Sequence, residues 1–186
     1  MTRNGPTRRA LLLAALGGAA GAAPSQGAPA APSEVIANLA EARLLGRGTL
    51  RFLGLHVYDA RLWVGTRFDP AEPAKSALAL ELEYARAFKG SRIADRSLAE
   101  MQRGEAFGAD EGERWLAAMR RLFPDVRSGD RLCAINRAGE GLLFFFNGAP
   151  VGAVNEIGFA RRFLAIWLGP QTSEPALRRQ LLDRAG

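Results

Sequence analysis

The sequence contains very few of the residues that bind metals or form disulfide bonds. Its 186 residues include one cysteine, Cys133, and one histidine, His56. A lone cysteine excludes an internal disulfide bond, and one cysteine with one histidine is too small a set for a zinc or iron–sulfur site. Cys133 stands between Leu132 and Ala134 in an apolar segment, which favours a buried, unreactive thiol. We therefore expect neither a metal nor any other cofactor.

Runs of basic residues are also absent. Every basic residue except Lys75 and Lys89 is an arginine, and the arginines are scattered among acidic residues. Although the formal net charge is +6, this scatter argues against nucleic-acid binding, which needs basic patches with interleaved aromatic residues. A hydrophobic content of 48% and a charged content of 24% are typical of one globular domain rather than of a disordered chain.

The first residues have the pattern of an export signal. Thr7-Arg8-Arg9 precedes an apolar, alanine-rich run that ends near Ala22. This run is shorter than the roughly 20 apolar residues that span a bilayer, and the pattern is typical of a signal peptide. The paired arginines favour the twin-arginine route, with the general secretory route as the alternative. We predict a signal peptide over residues 1–22 cleaved on export to the periplasm, a disordered proline-rich linker over residues 23–33, and one domain over residues 34–186.

Alternating apolar and polar residues predict the strands. Residues 49–65 are interpreted as one strand that is apolar on both faces near its middle, as in a central strand. Residues 78–85 alternate strictly and place Glu81 and Glu83 on what we predict to be the solvent face. No apolar pocket would raise the pKa of either carboxyl there, so we do not expect a catalytic pair. Further strands are predicted over residues 131–136, 142–146 and 150–154, the last two joined by a turn at Asn147-Gly148.

Apolar residues spaced three and four apart predict the helices. They are expected after Ser91, before Pro124, over residues 157–168 and after Ser173. The helix over residues 157–168 is apolar on nearly every side, which is typical of an interior helix. Strands, helices, strands and helices follow one another without repeated strand–helix–strand units. The order predicts an α+β fold, an antiparallel sheet with helices packed on it.

A series of motifs extends over residues 40–183, nearly the whole predicted domain. In chain order the main ones are Gly48-x-Leu50-x-Phe52, Val57-Tyr58-Asp59-Ala60-Arg61-Leu62-Trp63, Leu82-x-Tyr84, Phe123-Pro124-Asp125-Val126, Gly129-Asp130-Arg131-Leu132, Phe144-Phe145-Phe146-Asn147-Gly148 and Phe163-x-x-Ile166-Trp167-Leu168-Gly169. Their order and spacing resemble the bacterial chalcone isomerase-like family. The resemblance implies an open-faced β-sandwich, in which a large antiparallel sheet is covered by a layer of helices with an apolar cleft between them.

The resemblance does not imply one activity. The plant enzyme of the family cyclises a chalcone without a cofactor, and related plastid proteins bind fatty acids. Where the enzyme has its catalytic threonine, this sequence has Leu53, which cannot donate a hydrogen bond. The enzyme's tyrosine is not matched, and Tyr84 is the nearest tyrosine. Its arginine can be matched by Arg43, Arg47 or Arg51. Catalysis is therefore left open, because loss of one oxyanion donor alone costs about 10²–10³ in rate.

These observations lead to a set of predicted ligand-binding residues, Arg51, Leu53, Tyr58, Arg61 and Tyr84. Arg51 stands beside apolar residues and would hold a carboxylate whose tail is buried. Tyr58, Arg61 and Tyr84 would line the cleft, with a hydrogen-bond network at a strand edge as the alternative. The predicted function is a non-catalytic, periplasmic binder of a fatty acid or similar apolar carboxylate.

Two other functions stay open at this point. One is a cofactor-independent isomerase or intramolecular lyase that uses Tyr58, Tyr84 or His56 as its titratable group. The other is an accessory protein that holds a membrane or a redox partner, which would require an exposed apolar patch. The oligomeric state is not predicted.

Overall fold

A computed structural model describes residues 29–183 of the chain, together with Met1. The predicted signal peptide and residues 23–28 of the predicted linker lie outside the described residues. Residues 29–32 have no regular structure, and the first helix begins at Ser33.

Six strands and five α-helices are present within residues 29–183. In chain order they are α1 Ser33–Asn38, β1 Arg43–Phe52, β2 Leu55–Val64, β3 Leu78–Tyr84, α2 Gly90–Met101, α3 Ala109–Leu122, β4 Arg131–Arg137, β5 Gly141–Phe146, β6 Ala149–Val154, α4 Ile157–Leu168 and α5 Pro175–Leu182, with one 3-10 turn at Pro73–Lys75 before β3. None of the helices in this part of the chain is both long and apolar enough to cross a membrane.

The strands form a single antiparallel sheet in which each strand pairs with its neighbours in sequence, from β1 to β6. The helical pair α2 and α3 connects β3 to β4. The predicted α+β class and antiparallel sheet are confirmed. The helix predicted over residues 157–168 matches α4 at both ends. The predicted turn between β5 and β6 is also present, with Asn147 and Gly148 both at positive φ.

The two faces of the sheet are covered differently, because alternate residues of a strand point to opposite faces. On one face, α2 to α5 pack over a large apolar core that includes Leu62, Leu80 and Phe144; we call it the helix-covered face. On the other, α1 packs over a smaller core that includes Val35 and Trp63; we call it the α1 face.

Residues 49–65 form two strands, so the single strand predicted there is wrong. Leu53 and Gly54 separate β1 from β2 and have φ values of 50° and 78°. Two successive residues at positive φ are characteristic of the type I′ turn, which suits the twist of a hairpin. The turn was missed because leucine is rarely found at positive φ. A register shift between Leu50 and Arg51 further breaks the alternation on which the prediction depended.

Candidate functional site

Two tyrosines lie together on the helix-covered face. Tyr58 on β2 pairs directly with Tyr84 on β3, and directly opposed residues share one face of a sheet. Their rings contact edge to face, with centroids 5.9 Å apart. Tyr58 is 9% exposed and Tyr84 is 4% exposed. The register of two strands therefore brings together two residues that are 26 positions apart in the sequence.

These tyrosines form part of the wall of a cavity of about 380 Å³ between the sheet and helices α2 and α4. Much of the remaining wall is apolar and includes Leu50, Val57, Leu82, Phe88, Ile93 and Phe163. A volume of this size, with apolar walls and a few polar groups, is typical of a small-molecule site.

The two phenols are the polar groups that the sheet contributes to the cavity. Trp167 Nε1 on α4 donates a hydrogen bond of 2.9 Å to the hydroxyl oxygen of Tyr58, which leaves the hydroxyl proton of Tyr58 available for a second acceptor. The Tyr84 hydroxyl has no hydrogen-bond partner among the described residues. Burial raises the pKa of both phenols above the ordinary value. Both therefore stay protonated at neutral pH and are hydrogen-bond donors rather than bases.

Charged side chains also border the cavity. Arg86 follows β3, and Arg92, Arg96 and Glu100 belong to α2. Arg96 Nη2 lies 2.6 Å from Glu100 Oε1, so this pair compensates its own charges. Arg86 and Arg92 are exposed, and neither forms an ion pair with any residue in the described part of the chain. Glu174, just before α5, is the other carboxylate on the wall. The two uncompensated arginines therefore lie where the cavity opens to solvent.

A family model described as chalcone isomerase-like matches residues 27–183. The chain belongs to the chalcone isomerase-like family. The resemblance to the chalcone isomerase-like family inferred from the motifs is confirmed. No sequence among the curated proteins matches the chain.

Among solved structures, this chalcone isomerase-like chain is similar to a fatty-acid binding protein of Arabidopsis thaliana. The TM-score is 0.59 and the identity is 17%, and the match covers 76% of this chain and 87% of the other. A likeness at this identity shows the fold and leaves the function to be argued from the site. The predicted open sheet covered by helices is confirmed.

Two of the predicted site residues of the chalcone isomerase-like chain, Arg51 and Leu53, are not among the residues that line the cavity. Arg51 pairs with His56 in the β1–β2 ladder. Leu53 lies in the turn and is 85% exposed. Their assignment to the cleft depended on one continuous strand, and the turn and the register shift change the direction of both side chains.

Arg61 is also absent from the cavity, because it lies on the α1 face, three positions along β2 from Tyr58. Its Nη1 donates to Glu81 Oε1 at 3.0 Å and its Nη2 donates to Glu83 Oε2 at 2.9 Å. Burial lowers the pKa of Arg61, but the hydrogen bonds and charges of the two glutamates outweigh burial and raise it overall. The structure therefore shows the alternative stated for Arg61, a hydrogen-bond network within the sheet.

Glu81 lies at the centre of this network, so the prediction of a solvated carboxylate was wrong. It is 2% exposed and also accepts hydrogen bonds from Trp63 Nε1 at 2.9 Å and Arg131 Nη1 at 3.2 Å. The same Arg131 atom lies 3.1 Å from Glu34 Oε1 on α1. The alternation in β3 identified the face correctly, but it could not show that α1 covers that face.

The single cysteine and the single histidine of the chalcone isomerase-like chain do not line the cavity. Cys133 is 1% exposed on the α1 face, and burial raises the pKa of its thiol, so little thiolate forms at neutral pH. His56 Nε2 lies 3.1 Å from Asp59 Oδ1. Within residues 29–183, no three His, Cys, Asp or Glu side chains are grouped so that they could hold a metal ion.

Sequence reasoning missed the contribution of the helices to the site. Arg92, Arg96 and Glu100 are spaced four apart, and this spacing places them on one face of α2. The signal was present in the sequence, but the direction of that face depends on how the helix packs. Trp167 had no comparable signal, because it reaches Tyr58 across 109 positions of the chain.

Proposed function

We propose that this protein binds a fatty acid or a similar apolar carboxylate and catalyses no reaction on it. The observation that carries the proposal is the apolar cavity with two uncompensated arginines, Arg86 and Arg92, at its opening. An apolar tail fits the cavity, and a carboxylate fits the guanidinium groups at its edge. The Arabidopsis neighbour is itself named a fatty-acid binding protein, which supports this class of ligand.

The phenols inside the cavity support a binding role. Tyr58 has a hydroxyl proton that Trp167 does not use, and the Tyr84 hydroxyl has no partner among the described residues. Both groups would donate to oxygen atoms of a ligand. Their raised pKa values keep them in the donor form and make them poor bases for an isomerase.

The test is binding of cis-parinaric acid, a fluorescent fatty acid, to the mature chain. We expect Arg92→Gln to weaken binding about tenfold or more, because a hydrogen bond between charged groups contributes about 1.5–3 kcal/mol. The double variant Arg86→Gln/Arg92→Gln should bind still more weakly. Arg121→Gln is the matched control, since Arg121 is an exposed arginine on α3 that does not line the cavity. Unchanged affinity in the double variant, or no binding by the wild type, would contradict the proposal.

We also propose that the protein acts in the periplasm. The support is the pattern of residues 1–22, with Arg8 and Arg9 ahead of an apolar run. After expression of the full chain in a bacterium, intact-mass spectrometry of the periplasmic fraction should find a chain cleaved near Ala22. Loss of export in Arg8→Lys/Arg9→Lys would assign the twin-arginine route, and unchanged export would assign the general secretory route. A full-length chain confined to the cytoplasm would overturn the proposal.

A further inference from the structure

The turn between β1 and β2 carries an unusual amount of exposed apolar surface. Phe52 is 61% exposed, Leu53 is 85% exposed and Leu55 is 52% exposed. These residues are three of the six exposed large hydrophobic side chains among the described residues, and they fall within four consecutive positions. We call residues 52–55 the apolar tip. Clustered exposed apolar side chains, unlike scattered ones, indicate an interaction surface.

A second turn in the same sheet shows that the backbone does not require this apolar surface. Asn147 and Gly148 have φ values of 49° and 86°, close to the 50° and 78° of Leu53 and Gly54. In the β5–β6 turn, the Asn147 side chain is tied to the protein, since its Oδ1 accepts from the Arg131 backbone at 2.8 Å. Leucine in the left-handed region is disfavoured by about 1–2 kcal/mol. The β1–β2 turn therefore keeps an exposed leucine where asparagine suits the backbone better.

The apolar tip is continuous with the cavity. Phe52 and Leu55 line the cavity and are also more than half exposed. Leu53 extends beyond them and does not line the cavity. The exposed apolar surface therefore begins at the opening of the cavity and continues outward to the turn.

Positive charge accompanies the tip. Arg51 is exposed next to it, and Arg86 and Arg92 are exposed on the wall of the same cavity. None of the three forms an ion pair with a residue of the described part of the chain. Among the acids nearby, Glu100 is compensated by Arg96, Asp59 lies 3.1 Å from His56, and Glu174 is the other carboxylate on the cavity wall. Exposed apolar side chains flanked by uncompensated arginines match an anionic lipid surface, which buries the former and attracts the latter.

The same charges disfavour a second copy of this chain as the partner. Two copies that met through their apolar tips would bring Arg51, Arg86 and Arg92 of one copy towards the same residues of the other. Like charges brought together at an interface cost free energy. We propose that the apolar tip inserts into the interfacial layer of an anionic bilayer, so that the cavity opens against the membrane surface.

This proposal goes beyond the proposed function, because vesicle binding needs no ligand in the cavity. The experiment is sedimentation of the mature chain with vesicles of phosphatidylcholine alone, or of equal parts phosphatidylcholine and phosphatidylglycerol. We expect binding to the anionic vesicles and weaker binding to the neutral ones. Leu53→Asn should lower the partition coefficient between vesicles and water about tenfold, because the variant loses the burial of one leucine side chain in the bilayer. Arg51→Gln should lower it about fivefold on anionic vesicles only.

Leu53→Asn is also suited to the backbone, because asparagine tolerates the left-handed region, so the variant should fold at least as well as the wild type. Ile36→Asn is the matched control, since Ile36 is 63% exposed on α1, away from the cavity. Its vesicle binding should equal that of the wild type. Binding of cis-parinaric acid without vesicles reports the proposed function separately, and Leu53→Asn should leave it unchanged.

Three results with vesicles would overturn the proposal. The wild type could fail to bind the anionic vesicles, Leu53→Asn could bind them as well as the wild type does, or Ile36→Asn could lose as much binding as Leu53→Asn. Concentration-dependent self-association in analytical ultracentrifugation that Leu53→Asn abolishes would assign the tip to a second copy instead. Vesicle binding without binding of cis-parinaric acid would leave this proposal standing and contradict the proposed function.

Discussion

The two faces of the sheet bury polar groups in different ways. On the α1 face, Glu81 is surrounded by Arg61, Trp63 and Arg131, and each of these side chains donates to it. On the helix-covered face, the Tyr84 hydroxyl has no protein partner among the described residues, and an apolar cavity lies beside it. A fully partnered network stabilises the fold, whereas an unpartnered donor in a cavity is available to a ligand. The partnered ionic network and the candidate binding cavity therefore lie on opposite faces of one sheet.

The largest expected effect is on the α1 face. Glu81→Ala should lower the free energy of unfolding by about 3–5 kcal/mol, because Arg61 and Arg131 lose a buried partner. Urea denaturation followed by circular dichroism measures this change. Glu83→Ala is the matched control: the Glu83 side chain is 38% exposed and pairs with Arg61, so we expect a loss of about 0–1 kcal/mol. Equal stability of the two variants, or loss of cis-parinaric acid binding by folded Glu81→Ala, would contradict the separate roles of the two faces.

The next effect concerns binding on the helix-covered face. Ser97 lines the cavity from α2, so Ser97→Phe should occupy part of it and weaken cis-parinaric acid binding about tenfold or more. Stability should change less than in Glu81→Ala, because the added ring enters existing space. Fluorescence titration and urea denaturation report the two quantities. Ala99→Phe places the same ring at an exposed position of α2 and should bind normally. Equal losses of affinity in the two variants would show that the cavity is not the site.

The last effect appears at high pH and separates the faces by their titrating groups. Tyr58 and Tyr84 have pKa values raised by burial above 10.0. The unfolded chain therefore releases these protons first, and stability falls as the pH rises above 10.0. The slope should be up to about 1.4 kcal/mol per pH unit for each group.

Urea denaturation at a series of alkaline pH values measures this slope, and Tyr84→Phe should reduce it. Cys133, on the α1 face, has a pKa raised from 9.0, so Cys133→Ala should remove a component that begins about one pH unit lower. A slope that neither variant changes would exclude Tyr84 and Cys133 as its source.

How much of the fold the sequence predicts depends on whether the signals are local. The Asn147-Gly148 turn and the apolar run of α4 are local, and the structure agrees with both. The Leu53-Gly54 turn is also local, but Leu53 stands where such a turn usually has asparagine or aspartate, so the boundary between β1 and β2 was missed. Glu81 shows a different limit, since its environment depends on α1, which packs across the sheet from a distant part of the chain.

The residues of the candidate site were likewise predicted only in part. Tyr58 and Tyr84 were predicted to line a cleft, and the register of β2 and β3 brings them together on the cavity wall. Arg61 was placed with them although it lies an odd number of positions from Tyr58, so strand alternation puts it on the other face. Arg92 was not predicted, because its position depends on how α2 packs over the sheet, and Arg86 was not predicted because it lies in the segment between β3 and α2.

The contact between β1 and α5 has a consequence for the order in which the molecule can be built. A side chain at Gly46 would collide with the backbone carbonyls of Gln180 and Leu181, so the first strand has a surface shaped for the last helix. A ribosome completes α5 long after β1 has emerged, because more than 120 residues separate the two elements. Until then the groove at Gly46 has no occupant and one end of the core stays open. Closure of the domain therefore waits for α5 and cannot accompany the synthesis of the earlier elements.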